Sequence, residues 1–205
     1  MMTPFSSEHT DIDRLVSYLD LQVPLTSSFV VALSKVVQDQ LAVHKQGLLD
    51  PPARCGNIWF LLSGIVVASI FDSNGKEVVV KIYLPETVFT DFDSFSQQKS
   101  SAVKLTAIGH VKLQRILHND YKIFLKQFSE TSELRERILL KDLLLDQQRS
   151  RLISLKNEQR FEEFASAFPV NLLPNIVGAS FLYMHRSKYC ELKAKWNLTN
   201  RFRGS

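Results

Sequence analysis

The spacing of apolar and polar positions changes character twice along this chain. From Asp11 to Leu21 and again from Ser27 to Val43, apolar residues recur at helical intervals, with Pro24 between the two stretches. Both are expected to be helices. Ser27-Ser28 can cap the second, since a hydroxyl there accepts from the free N–H groups of a first turn. The pattern then shifts to long apolar runs rich in β-branched and aromatic residues. Asn57 to Asp72 reads NIWFLLSGIVVASIFD and is interrupted by Gly64, which predicts two strands meeting at a tight bend or bulge. Asp72-Ser-Asn-Gly75 predicts a hairpin turn, because Asn-Gly readily takes the positive φ values such turns need. The return strand covers 76–84 and ends at Pro85; two more short strands, 102–108 and 110–116, are expected about Gly109. Short strands at this spacing suggest a small antiparallel barrel or roll.

The second change comes at Glu130. ETSELRERILLKDLLLDQQRSRLISL, running to Leu155, has no Gly or Pro and is built from strong helix formers. Ser132 offers a capped start, with Glu136 adding acid to the first turn. Leu134, Ile138, Leu145 and Leu152 fall near one face, while Leu139, Leu143 and Leu144 fall on others. A helix apolar nearly all round must be covered from at least two sides. The Leu134–Leu152 face is therefore expected to meet a second subunit. Beyond it, Asn157–Phe168 predicts a helix with Phe161, Phe164, Ala165 and Phe168 on one side, stopped by Pro169.

Composition narrows the function. Hydrophobic residues make up 45% of the 205, enough for a real core. No run is long enough to span a bilayer, and no basic-then-apolar signal pattern opens the chain, so no membrane is expected. Cys55 and Cys190 are the two cysteines, too few for a disulfide framework, and a reducing cytoplasmic location is expected. The net charge of +4 is unevenly placed: residues 1–118 hold 10 Lys/Arg against 11 Asp/Glu, and residues 119–205 hold 15 against 10. A basic patch at one end is the electrostatic footprint of a nucleic-acid surface. His9, His44, His110, His118 and His185 show no metal-ligand spacing, and no nucleophile elbow or Gly-rich phosphate loop occurs. No catalytic residue, metal or cofactor is expected, and the chain is not read as an enzyme.

From Lys45-Gln-Gly47 through Phe60-Leu-Leu-Ser-Gly64 to Thr90-Asp91, the sequence resembles the cyclic-nucleotide-binding-like sensor domain of the CRP/FNR (catabolite activator/FNR) superfamily of bacterial transcription regulators. The resemblance runs over roughly 12–195. It implies an α+β fold in three parts: an antiparallel β-roll sensor, a jelly roll with flanking helices, over 1–128; a dimerisation and connecting helix over 129–155; and a helix-turn-helix DNA-binding domain over 156–205. Family members that bind a cyclic nucleotide hold the ribose with a Gly-Glu pair and neutralise the phosphate with an arginine. Thr90, Asp91 and Ser101 stand at those positions, and Lys99 is the nearest replacement cation. The implied effector pocket is therefore Thr90, Asp91, Lys99 and Ser101. With no guanidinium for the phosphate, control by cAMP or cGMP is not expected; the roll is either packed with its own side chains or open to an unidentified small-molecule effector.

Further on, Leu173-PNIVGASFLYMHRSKYCELKAKW resembles the family's helix-turn-helix, with Pro174 opening the first helix and Ala179, Ser180 and Leu182 closing it. Tyr183 stands at the turn glycine, Met184 at the apolar residue after it, and Glu191 where many members carry an arginine. Small Ala179 would let the two helices approach. The resemblance implies that Arg186 and Ser187 meet base edges and that Lys188 and Lys193 meet phosphate, with Tyr189 either in the same interface or, like Leu192, in the core. Arg201 and Arg203 would form a basic tail. The expected partners are duplex DNA with a palindromic operator, a second copy of the chain meeting along Leu134, Ile138, Leu145 and Leu152, and RNA polymerase. Two alternatives stay open. One is a degenerate regulator that serves as a protein-interaction module without reading DNA. The other is a cyclic-nucleotide receptor using Lys99 in place of arginine.

Overall fold

A computed structural model describes residues 10–201, with Asn200 and Arg201 as backbone only, so His9, Arg203 and the side chain of Arg201 lie outside the described residues. Two helices, α1 (Asp11–Asp20) and α2 (Ser27–Val36), precede β1 (Gln38–Ala42), β2 (Gly47–Leu49), β3 (Asn57–Phe71), β4 (Glu77–Tyr83) and β5 (Thr87–Phe89). A short helix α3 (Phe92–Gln97) leads to β6 (Lys104–Leu117). Then follow α4 (His118–Gln127), α5 (Ser129–Ser154), α6 (Asn157–Ala167), α7 (Asn175–Phe181) and α8 (Arg186–Arg201). The class is α+β.

Six strands form one antiparallel sheet in the order β1-β6-β3-β4, with β2 added to β6 and β5 to β3. Alternate residues of β3 serve two cores, because successive side chains of a strand point to opposite faces. Trp59, Leu61, Val66 and Ala68 pack inside the roll with Tyr83, Phe89, Leu105 and Leu113. Phe60 and Leu62 face outward and are covered by Leu15 and Leu19 of α1, Phe29 and Leu33 of α2, Phe124 of α4 and Leu134 of α5. A strand covered on both faces reads as a continuous apolar run, which is why Asn57–Phe71 shows no polar alternation.

The sequence pattern and the fold differ at four places. The helix expected to reach Val43 ends at Val36, and Gln38–Ala42 pairs with β6 as β1. Val37 is extended, and Trp59 Nε1 donates to Gln40 Oε1 at 3.0 Å. The glycines at 64 and 109 bend strands without ending them. Gly64 (φ +86°) passes so close to the His110 carbonyl that a Cβ would overlap it, and β3 continues through an irregular register with β6. β6 likewise runs on past Gly109 (φ +76°). Finally, α5 starts at Ser129 with Phe128 at its N-cap, so Ser132 is not the cap. The turn at Asp72–Gly75 forms as expected: Asp72 Oδ1 accepts from the N–H groups of Asn74 and Lys76, both at 2.9 Å, and Gly75 has φ +74°.

α5 corrects the dimer expectation. Leu134 and Leu152 are 5% and 2% exposed and lie in the chain's own cores, and Ile138 and Leu145 pack against those cores. That face is filled by its own chain. At about 100° per residue, Leu139, Leu140, Leu143 and Leu144 fall on the opposite side, 47%, 56%, 50% and 59% exposed. A third core joins the C-terminal helices to the roll: Phe161, Phe164 and Phe168 meet Leu152, Val79 and Ile82. The Val79 N–H donates to Ser180 Oγ at 2.9 Å, which seats α7 on β4.

Candidate nucleic-acid interface and roll pocket

α7 and α8, joined by a short turn, pack around Tyr189. Its ring is fully buried between Phe161, at 5.3 Å between centroids, and Phe164, at 6.4 Å. The helices approach at Gly178 rather than Ala179: a Cβ at 178 would overlap the Tyr189 hydroxyl and ring. Burial and the nearby Cys190 push the Tyr189 phenol up to about 12. Tyr189 is therefore core and offers nothing to DNA. The turn keeps the left-handed geometry of the family's glycine, with Tyr183 at φ +51° and its side chain in solvent. A non-glycine residue there costs about 1 kcal/mol.

Two arginines that the sequence pattern did not single out hold this turn. Arg149 Nε donates to the Phe181 carbonyl at 3.0 Å. Arg160 Nη1 donates to the Leu182 carbonyl at 3.0 Å, and its Nη2 donates to the carbonyls of Ile153 and Leu155, both at 2.7 Å. Arg160 thus ties the end of α5 to the end of α7. The last carbonyls of a helix have no partner within it, and a cation satisfies both their hydrogen bonding and their partial negative charge.

The expected DNA-contacting cations divide. Arg186 and Ser187 are exposed at the start of α8, with Ser187 Oγ 2.7 Å from His185 Nδ1. Lys188 is half-buried and paired with Glu158 at 3.0 Å and Glu191 at 3.2 Å. Its hydrogen bonds to those carboxylates raise its pKa; Lys188 lowers that of Glu158, and Lys195 first, then Lys188, lower that of Glu191. Lys195, one turn on, also pairs with Glu191 at 2.8 Å. Lys193 turns inward, donating to Asn175 Oδ1 at 3.0 Å and the Leu173 carbonyl at 3.3 Å. Burial lowers its pKa. It holds the start of α7 instead of facing phosphate. The outward face of α8 also carries Ala194 and Leu198, the latter 59% exposed. Helical spacing from Ser187 and Glu191 identifies both.

In the roll, two of the four implied effector residues line a cleft. Thr90 and Asp91 line a cleft of about 210 Å³; Lys99 and Ser101 do not. Lys99 pairs with Asp93 at 2.7 Å with its side chain half exposed. The Ser101 hydroxyl donates to Asp91 Oδ2 at 2.6 Å, and Asp91 also caps α3 by accepting from the Ser94 N–H at 3.3 Å. Thr90 Oγ1 donates to the Asn57 carbonyl at 2.8 Å. The cleft wall carries Lys81 against Asp91, Asp93 and Asp142. Lys81 bonds to Asp142 and lies 3.1 Å from Asp146, and Tyr83 Oη donates to Asp142 Oδ1 at 3.3 Å. Burial raises the pKa of Asp142, and burial together with Asp142 raises that of Tyr83 well above its usual value. Three carboxylates against one committed cation oppose a cyclic phosphate. Among the described residues, no group of three or more His, Cys, Asp or Glu could hold a metal ion, and no helix is long and apolar enough to cross a membrane.

A roll closed by a long helix that leads to a helix-turn-helix is the architecture of the CRP/FNR regulators, and comparison with solved structures agrees. FixK2 from Bradyrhizobium japonicum superposes with a TM-score of 0.70 at 10% identity, over 80% of this chain and 86% of that one. A protein described as a crp/fnr-family transcriptional regulator from Eubacterium rectale gives 0.69 at 13% identity, over 89% and 88%. The c-di-GMP responsive global regulator CLP from Xanthomonas campestris gives 0.64 at 14% identity, over 85% and 93%. No family model matches the sequence, and no curated protein matches it. The chain has the fold of the CRP/FNR regulators.

Proposed function

We propose that this protein is a homodimeric, sequence-specific DNA-binding transcription regulator of the CRP/FNR type whose control does not run through cyclic nucleotide in the roll cleft. The observation that carries the reading is the helix-turn-helix itself: α8 presents Arg186 and Ser187 at its exposed start, where base edges are met. Leu139, Leu140, Leu143 and Leu144 supply the dimer face, because they are exposed together on α5 opposite its buried side. A two-fold axis along α5 then sets two recognition helices one turn of DNA apart, matching a palindrome. Arg160 spans the joint between α5 and α6, so a signal reaching that joint changes how α8 is presented. RNA polymerase is the further partner of an activator of this kind.

Selection from random-sequence duplexes at two salt concentrations, with light scattering for mass, tests this. The expected results are enrichment of a palindrome by a dimer, and loss of both dimer and enrichment in Leu140→Glu/Leu144→Glu. Absence of salt-sensitive binding to any duplex, genomic fragments included, overturns it. The pairing of Lys188 and Lys195 with Glu191 favours a second reading, a regulator-like protein whose α8 face meets another protein.

A further inference from the structure

A second cavity adjoins the roll cleft and shares Thr90 and Phe92 with it. It has a volume of about 90 Å³ and lies between β3 and β6 on one side and α1, α2, α4 and α5 on the other. Its lining includes Phe29, Phe60, Phe95 and Phe124, with Leu33 and Ile138 among the aliphatic contacts. Arg135 and Ser96, both exposed, also border it and mark where it reaches the surface.

The informative residue is Gln114, also part of the lining. It lies on β6 opposite Phe60, and is 3% exposed. Its Nε2 donates to Asp39 Oδ1 at 3.2 Å, and its Oε1 is buried with no hydrogen-bond partner. Reversing the amide would set its oxygen against the Asp39 carboxylate, so the orientation is chemically determined. A buried carbonyl oxygen without a donor is unfavourable, and buried polar groups nearly always find a partner. Thr131, which also lines the cavity, does not supply one, because its hydroxyl donates to the Phe124 carbonyl at 3.1 Å. The space is thus nearly uniformly apolar and rich in rings, with one unmet demand for a donor. Engineered apolar cavities of about 150 Å³ take up a benzene ring; at about 90 Å³ this one is smaller, so a single ring must move its walls apart or use the opening at Arg135 and Ser96.

We propose that this cavity binds a small neutral aromatic molecule bearing one hydroxyl, with the ring among the phenylalanines and the hydroxyl donating to Gln114 Oε1. The ring would lie against Leu134 and Ile138, on the inner face of the helix whose outer face carries the exposed leucines. The proposal does not depend on DNA binding.

Phenol and toluene are the probes, titrated into the full-length protein while the side-chain methyl resonances of Leu33, Leu134 and Ile138 are followed by NMR. Phenol is expected to give saturable shifts at those methyls. In Gln114→Leu, the phenol-to-toluene affinity ratio is expected to fall about tenfold. Ile138→Phe, at a half-buried position on the cavity wall, should weaken both probes and serves if Gln114→Leu does not fold. No saturable shift in the wild-type protein, or an unchanged ratio in Gln114→Leu, overturns the proposal.

Discussion

The roll and the C-terminal helices use the same ion-pair chemistry at different depths. In the roll, Lys81 and Asp142 are paired with side chains only 15% and 13% exposed. On α8, Lys188 pairs with Glu158 and Glu191, whose side chains are 62% and 46% exposed. A buried pair is held by the cost of leaving either charge alone in a low dielectric. An exposed pair contributes about 0–1 kcal/mol and is screened by salt. Lys81 is therefore locked into structure and unavailable to an effector phosphate. Lys188 and Lys195 can exchange a glutamate for another anion at small cost. The same residue types make a plug in one region and a reserve of charge in the other.

Lys81→Ala should have the largest effect, a loss of about 3 kcal/mol in urea unfolding, because it strands Asp142. Lys81→Met/Asp142→Leu should recover most of that loss. A single-variant loss below about 1 kcal/mol would erase the distinction between the two regions. Arg160→Met should follow at about 2 kcal/mol, since three well-aligned carbonyls lose a charged donor. Glu191→Arg frees Lys195, leaves Lys188 to Glu158 alone and adds a cation. Duplex affinity should rise about tenfold at low salt with a steeper salt dependence, while the unfolding midpoint stays close to that of the parent protein. Unchanged affinity would assign the α8 face to something other than DNA. Tyr183→Gly should add about 1 kcal/mol by relieving its left-handed backbone.

The smallest expected effect is acid sensitivity in the roll. His118, 9% exposed, packs edge-on against Phe95 at 4.9 Å. Burial first, and then the Lys122 charge, lower its pKa below the usual value. The unfolded chain therefore takes up the proton first as pH falls. The contribution to stability is fully present above about pH 6.5 and is lost as pH drops through the lower folded value. Thermal unfolding between pH 7.5 and 5.5 should show this slope, and His118→Gln should flatten it. The α8 pairs should add nothing over that range, since Glu158 and Glu191 are held below the ordinary carboxylate pKa by their lysines. An equal slope in both proteins would remove His118 from the account.

Several features were legible in the sequence because their causes are local. Asn-Gly sets the turn after Asp72, the β-branched and aromatic run from Ile58 to Phe71 gives a strand, and the resemblance placed Tyr183 at the turn, where the backbone is left-handed. Other features were not. The periodicity of α5 shows that two faces are apolar but not which one its own chain fills, and that choice depends on Leu15, Phe29 and Phe60 arriving from distant elements. Spacing puts Tyr189 on α8, yet its burial follows from Phe161, Phe164 and the missing side chain at Gly178.

By itself, then, the sequence determined the elements and the order of the roll, the long helix and the two-helix motif, because backbone preference and apolar period act over a few residues. Only the tertiary structure decided which charges are free. Lys81 meets Asp142 and Glu158 meets Lys188 across long stretches of chain. Coulomb attraction depends on distance and dielectric, which the fold sets and the residue order does not.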